Sequence, residues 1–186
     1  LSEVGEIMYS FVWDDFCDWY LELSKGNANI AVLVHTLRKI LQLLHPYCPF
    51  VTEELWAQVK PADAGLLIAR PWPKVKEKLM DPESEGHFLS LIGVITAIRK
   101  IRADQGIEQT KEIAVILHTK KWIPLLESQE AHIRRLGRVS SLTITTEVKK
   151  YDQTASIFLH DIEVHVPLEG LMDIDAERKK LEKEKN

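Results

Sequence analysis

The sequence has few cysteines, no long apolar run and no excess of basic residues. Its 186 residues include only Cys17 and Cys48, which excludes a disulfide framework and is typical of reduced thiols in a cytosolic protein. No apolar stretch approaches the roughly 20 residues that a membrane-spanning helix requires. The formal net charge of −4 argues against general nucleic-acid affinity, so any RNA contact must be local. We expect a cytoplasmic monomer with no membrane partner.

The composition, 45% hydrophobic and 28% charged, is that of a globular protein with one domain or two small ones. The chain opens on Leu1 instead of an initiator methionine, and it stops within a charged helical pattern. We therefore expect a piece of a longer protein.

The first 82 residues have the periodicity of amphipathic helices. Apolar side chains recur at three- and four-residue steps from the start of the chain, again from Ala28 to His45, and again from Pro49, which suits a first helical turn. This predicts a helical bundle over residues 1–82, with Leu55, Trp56 and Val59 of the third helix pointing inward.

The pattern changes in the second half. A fourth helix is predicted from Glu83 to Asp104, with Gly106 at its end, and segments of alternating or β-branched residues follow. We expect the fourth helix and a small α/β subdomain over residues 83–172, and the start of a C-terminal coiled coil over 173–186. The predicted fold class is α+β. The expected strands read EIAVILH, SLTITTE, SIFLH and IEVHV.

The segment FVWDDFCDWYLELSK, from Phe11 to Lys25, combines carboxylates with aromatic rings. On an α-helix, residues four apart form one continuous strip, and like charges at this spacing repel each other. The helix is predicted to be buried on two sides, one with Phe11, Val12, Trp19 and Leu23 and the other with Trp13, Phe16, Cys17 and Tyr20. The strip, which we call the acidic ridge, consists of Glu6, Ser10, Asp14, Asp18 and Glu22.

The acidic ridge has two readings. Acidic strips are usually solvated faces of helices. Alternatively, the carboxylates accept hydrogen bonds from a partner, while Leu21 beside them offers an apolar surface. Unstacked RNA bases fit this chemistry, because adenine and cytosine carry exocyclic amines and every base has an apolar face.

These residues resemble a known family. The run FVWDDFCDWYLELSK, followed by HTLRKILQLLHPYCPFVTEELW, resembles the C-terminal anticodon-binding region of valyl-tRNA synthetases, which are class I aminoacyl-tRNA synthetases. The later segments ITAIRKIRADQGI and VPLEGLMDIDAERKKLEKE are similar to the same family's continuation into a small α/β subdomain and a coiled coil.

The resemblance implies a partner and a set of site residues. The partner is the anticodon loop of valine tRNA, whose anticodon ends in adenine and cytosine. Leu21 would pack on an anticodon base, and Asp18, Glu22 and Lys25 would line the site. Asp14 either joins them or is tied up inside the bundle.

The resemblance also limits what this chain can do. The HIGH and KMSKS motifs through which class I enzymes bind ATP do not occur in it. We expect no catalytic residues and no cofactor here, whereas the parent ligase uses ATP and Mg²⁺ and supplies the catalytic domain as a further partner.

Other groups of residues have a structural explanation beside a functional one. Arg99 and Arg102, near the end of the fourth helix, either stabilise the helix C-terminus or contact tRNA phosphates. The seven histidines have no zinc-ligand spacing, so no metal site is expected. The alternative function is a helical protein-interaction module whose acidic ridge docks a basic partner.

Overall fold

A computed structural model describes residues 2–26, 28–147 and 153–168. The chain divides into two compact units, residues 1–80 and 81–186. Helices and a four-stranded mixed sheet make the protein α+β, as predicted. The predicted coiled-coil start at residues 173–186 lies outside the described residues, and the division at residues 82 and 172 stays a prediction.

The first unit is built from helices, and its opening helix differs from the prediction. A π-helix with i→i+5 hydrogen bonds occupies its centre, so each turn there is wider than in an α-helix. Residues four and five apart share a face in this stretch. The segments are α1 (Ser2–Ser10), the π-helix (Phe11–Leu21), α2 (Glu22–Ser24), α3 (Ile30–Leu44), α4 (Pro49–Val59) and two 3₁₀ turns (Leu67–Ala69 and Glu77–Leu79).

The core of the first unit lies between α3, α4 and the segment that follows α4. Leu41, Trp56, Ala64 and Leu67 form a buried cluster, with half-buried neighbours packed against it. The prediction that Trp56 points inward is confirmed. The same prediction for Leu55 is wrong, because its side chain is 43% exposed.

The two apolar faces predicted for the opening helix are only partly buried. Met8 and Phe16 are its buried side chains among the described residues, and the Phe16 ring stacks on Tyr20 at 5.8 Å. Phe11 and Trp13 were expected inside and are instead 43% and 56% exposed. Tyr9 stacks on the Trp13 ring at 6.2 Å, but both Phe11 and Trp13 keep a large part of their apolar surface in contact with solvent.

The second unit is a sheet covered by helices on one face. Its elements are α5 (Pro82–Asp104), β1 (Ile113–His118), α6 (Ile123–Ser128), α7 (Glu130–Gly137), β2 (Val139–Thr145), β3 (Thr154–Leu159) and β4 (Ile162–Pro167). Strand order is β2-β1-β4-β3, with β1 and β2 parallel and the other pairs antiparallel. Alternate residues of β1 and β4, such as Val115 and Val164, are fully buried. All four predicted strands are confirmed, and a turn at His160 and Asp161 joins β3 to β4.

Helix α5 begins and ends at defined caps. The Asp81 carboxylate accepts hydrogen bonds from the backbone N–H groups of Glu83 and Ser84 at the first turn. At the other end Gly106 has φ of +62°, its N–H donates to Ala103, and the N–H of Ile107 donates to Arg102. These two bonds form a Schellman motif, which confirms the predicted end of the helix.

Candidate nucleic-acid interface

The acidic ridge is exposed along the opening helix. Asp14 and Asp18 both lie on the π-helix with exposed side chains, so the alternative in which Asp14 is tied up inside the bundle is wrong. The Ser10 hydroxyl donates a hydrogen bond of 2.6 Å to the Asp14 carboxylate. Asp18 makes no hydrogen bond or ion pair with the described residues. Its oxygens are therefore open to a donor from outside the chain.

At its C-terminal end the ridge carries a cation. The Lys25 ammonium donates to the Glu22 carboxylate, and the two side chains are 61% and 38% exposed. An exposed pair of this kind contributes only about 0–1 kcal/mol to stability. Its partners can therefore separate at small cost when another polar group competes for either of them.

Leu21 lies at the junction of the π-helix and α2 and is half-buried. It is not one of the buried core residues of the first unit. Part of its side chain thus remains available to an apolar partner beside Glu22. The half-buried Cys17, one turn earlier on the π-helix, is a free thiol.

The run HPYCPFVTEELW is structural in the observed fold. The buried Thr52 hydroxyl donates to the carbonyl of Cys48 and lies 2.8 Å from Nδ1 of His45. The Glu53 carboxylate accepts from the backbone N–H of Leu67 at 2.8 Å, and the Trp56 indole donates to the Gly65 carbonyl at 3.1 Å. These contacts fix the segment after α4 against the helix.

The second unit holds the other predicted site residues. Arg102 is 6% exposed, and its guanidinium donates to the carbonyls of Glu108 and Lys111 at 2.7 and 2.6 Å, with a longer contact of 3.5 Å to Arg138. Burial lowers the pKa of the Arg102 guanidinium, as does the nearby charge of Arg138, and arginine still stays protonated at neutral pH. Arg102 is thus a buried structural cation, not the surface cation that the prediction assumed.

Arg99, one turn earlier on α5, is exposed, and its Nε donates to the Leu136 carbonyl at 3.2 Å. With Arg102 and Arg138 it lines a cleft of about 570 Å³. In the sequence Arg138 forms a basic cluster with Arg134 and Arg135, but the spacing did not show that it shares a cleft with Arg99 and Arg102.

Within residues 2–26, 28–147 and 153–168, no group of three or more His, Cys, Asp or Glu side chains is arranged to hold a metal ion. In the same residues no helix combines the length and the apolar character needed to cross a bilayer.

Comparison with known proteins shows the family to which this chain belongs. The family model described as the anticodon-binding domain of tRNA ligase matches residues 1–117, which include the acidic ridge and α5. The valine–tRNA ligase of Desulfotalea psychrophila is 36% identical over 99% of this chain. Those of Listeria monocytogenes and Synechocystis sp. are each 36% identical over 98% of it.

The alignments run through nearly all of this chain, but they cover 22% of each of these relatives. The match over residues 1–117 takes in well over half of the chain. The chain therefore belongs to the family of anticodon-binding domains of tRNA ligases.

Proposed function

We propose that this chain recognises the anticodon loop of valine tRNA through the acidic ridge and Leu21, as part of a cytoplasmic valine–tRNA ligase. The observation that carries the proposal is the exposed carboxylate of Asp18, which has no partner among the described residues and lies beside the half-buried Leu21 on a helix inside the family match. The similar proteins are named valine–tRNA ligase, and this name is the reason for proposing valine tRNA as the partner.

Recognition rests on matching donors to acceptors. Adenine and cytosine each present an exocyclic amine, whereas uracil presents a carbonyl oxygen at the equivalent position. A carboxylate at Asp18 or Asp14 accepts from the amine and repels the carbonyl. A hydrogen bond to a charged group contributes about 1.5–3 kcal/mol, which is enough for roughly tenfold or greater discrimination.

The other residues of the proposed site contribute in different ways. Leu21 packs on the face of a base and removes apolar area from water. Glu22 and Lys25 exchange their mutual ion pair for contacts with the nucleotide, since that pair is exposed and weak. Arg99 and Arg102 complete the proposed set, with Arg99 contacting phosphate and Arg102 holding the backbone around it.

In such a ligase this chain positions tRNA and other parts of the protein carry out the chemistry. ATP and Mg²⁺ would act in those parts, and the catalytic domain would be a partner of this chain.

The test is a titration of the 186-residue chain with valine tRNA and with transcripts changed in the second or third anticodon letter. Asp18→Asn should weaken binding of the valine anticodon about tenfold and reduce the preference among anticodons. Asp15→Asn is the matched control, because Asp15 is an exposed aspartate on the same helix outside the ridge. Its effect should be small.

Leu21→Ala should also weaken binding, with helicity unchanged by circular dichroism. Equal affinity for all anticodons in the unaltered chain would refute the assignment. Binding of a basic peptide that is lost in Asp18→Asn, without any tRNA preference, would favour the protein-interaction module instead.

A further inference from the structure

Three guanidinium groups line one cleft of the second unit. Arg99 and Arg102 come from the last turns of α5, and Arg138 comes from the junction between α7 and β2. Glu108 is the acidic residue among the described residues that line the cleft. The charges of Arg102 and Arg138 are close enough to act on each other. The cleft therefore concentrates positive charge on a chain whose net charge is −4.

The three arginines are not equivalent. The Arg102 guanidinium is occupied by main-chain carbonyls and is almost fully buried. The Arg138 side chain is exposed and makes no hydrogen bond or ion pair with the described residues. Its five N–H donors are therefore available, and they suit the geometry of a phosphate group.

The backbone at Arg138 is unusual for a residue with a side chain. Arg138 has φ of +53° and ψ of +58°, the left-handed conformation in which glycine is preferred. Its N–H donates to the Arg134 carbonyl, and its own carbonyl accepts from the N–H of Ile113. These bonds hold the backbone of Arg138 in place at the cleft that the residue lines. A side chain at this position carries a conformational cost that glycine would avoid.

We propose that the cleft is a phosphate-binding site in which Arg138 and Arg99 bind a backbone phosphate of tRNA, while Arg102 maintains its shape. The proposal rests on the proposed function for the identity of the RNA. The site reads charge and not sequence, because phosphates carry no base information. It would add affinity for every tRNA equally, whereas the acidic ridge would discriminate among them.

The test is the salt dependence of tRNA binding by the full chain and by Arg138→Gln. Each phosphate contact contributes about 0.7–0.9 to the slope of log affinity against log salt concentration. Arg138→Gln should reduce the slope by that amount, and it should weaken binding about five- to eightfold at 0.1 M salt if affinity at 1 M salt is unchanged. The factor should be the same for every anticodon.

Two further variants control for folding and for charge. Arg138→Gly removes the same cation and relieves the left-handed strain, so it should bind as weakly as Arg138→Gln while its denaturation midpoint rises. Lys120→Gln removes an exposed cation of the same unit that does not line the cleft, and it should leave the slope nearly unchanged.

The outcomes separate this site from the anticodon assignment. An unchanged salt slope in both Arg138 variants overturns the cleft, even if anticodon preference is present. A reduced slope in a chain without anticodon preference supports the cleft and overturns the proposed function. If the unaltered chain shows no salt-dependent tRNA binding, both proposals fall.

Discussion

Replacing Arg102 by alanine should unfold the second unit far more readily than any surface charge substitution. Two strong hydrogen bonds would be lost, to the carbonyls of Glu108 and Lys111 at 2.7 and 2.6 Å. Bonds to a charged group contribute about 1.5–3 kcal/mol each, so the loss is about 3–6 kcal/mol. Because the cleft is open, water can reach the freed carbonyls, and we expect the lower end, about 3 kcal/mol.

Native-state hydrogen exchange measures this loss in the second unit by itself. Amides of β1 and β4 lie in its core, so their slowest exchange reports the opening of that unit. A loss of about 3 kcal/mol should accelerate their exchange roughly 100-fold or more. The matched control is Arg99→Gln, which removes an exposed cation whose Nε donates to the Leu136 carbonyl at 3.2 Å.

Arg99→Gln should cost less than about 1 kcal/mol, since its side chain is solvated. Arg102→Lys should fall between the two, because it keeps the charge but cannot reproduce the planar fork of donors. If Arg102→Ala destabilises the unit no more than Arg99→Gln, then Arg102 is not the structural cation described above.

The other predictions concern caps and packing. Hydrogen bonds from the Ser84 hydroxyl and the Ser84 N–H lower the pKa of Asp81 below 3.8, so its stabilising effect is complete above that value and is lost as pH falls through the lowered pKa. Urea unfolding should show a smaller difference in the free energy of unfolding between the wild type and Asp81→Asn at acid pH than at neutral pH. An equal difference at all pH values would contradict the assignment. Gly137→Ala should destabilise the second unit by about 1 kcal/mol, because its Cβ would lie 3.2 Å from Val139 and 3.3 Å from Ile98, and overpacking of about 1–3 kcal/mol exceeds the gain in helix propensity. The control is Gly86→Ala on α5, where a Cβ meets no atom within 4 Å, and it should be neutral or stabilising; a stabilising Gly137→Ala would contradict the packing argument.

Local sequence patterns were enough to predict the strands of the second unit and the end of α5. Alternating or β-branched residues identified the four strands, and in β1 and β4 the alternation matches the burial of every second side chain on the covered face of the sheet. The end of α5 followed from Gly106, since the Schellman motif needs a left-handed residue there. Both signals depend on neighbours along the chain.

Features that depend on distant contacts were not predictable. The spacing of apolar residues shows which side chains share a face but not whether anything covers that face. For this reason the exposure of Phe11, Trp13 and Leu55 was not predicted. The burial of Arg102 depends on a loop and a helix end more than five residues away. The same limit applies to the π-helix, whose hydrogen-bond pattern left no mark in the residue spacing.

The candidate site was predictable as a strip of residues and not as a binding mode. Four-residue spacing predicted the acidic ridge, and Asp14 and Asp18 do lie exposed on the opening helix. Their contact with tRNA stays a prediction, as does that of Leu21, Glu22 and Lys25.

The most direct measurement is a double-mutant cycle between Asp18→Asn and the removal of one exocyclic amine from the valine anticodon, at the second-letter adenine or the third-letter cytosine. If Asp18 accepts a hydrogen bond from one of these amines, the two changes should be non-additive by about 1 kcal/mol or more for that base, and Asp15→Asn should show no coupling. Additive effects at both bases would contradict the claim that the acidic ridge reads the anticodon.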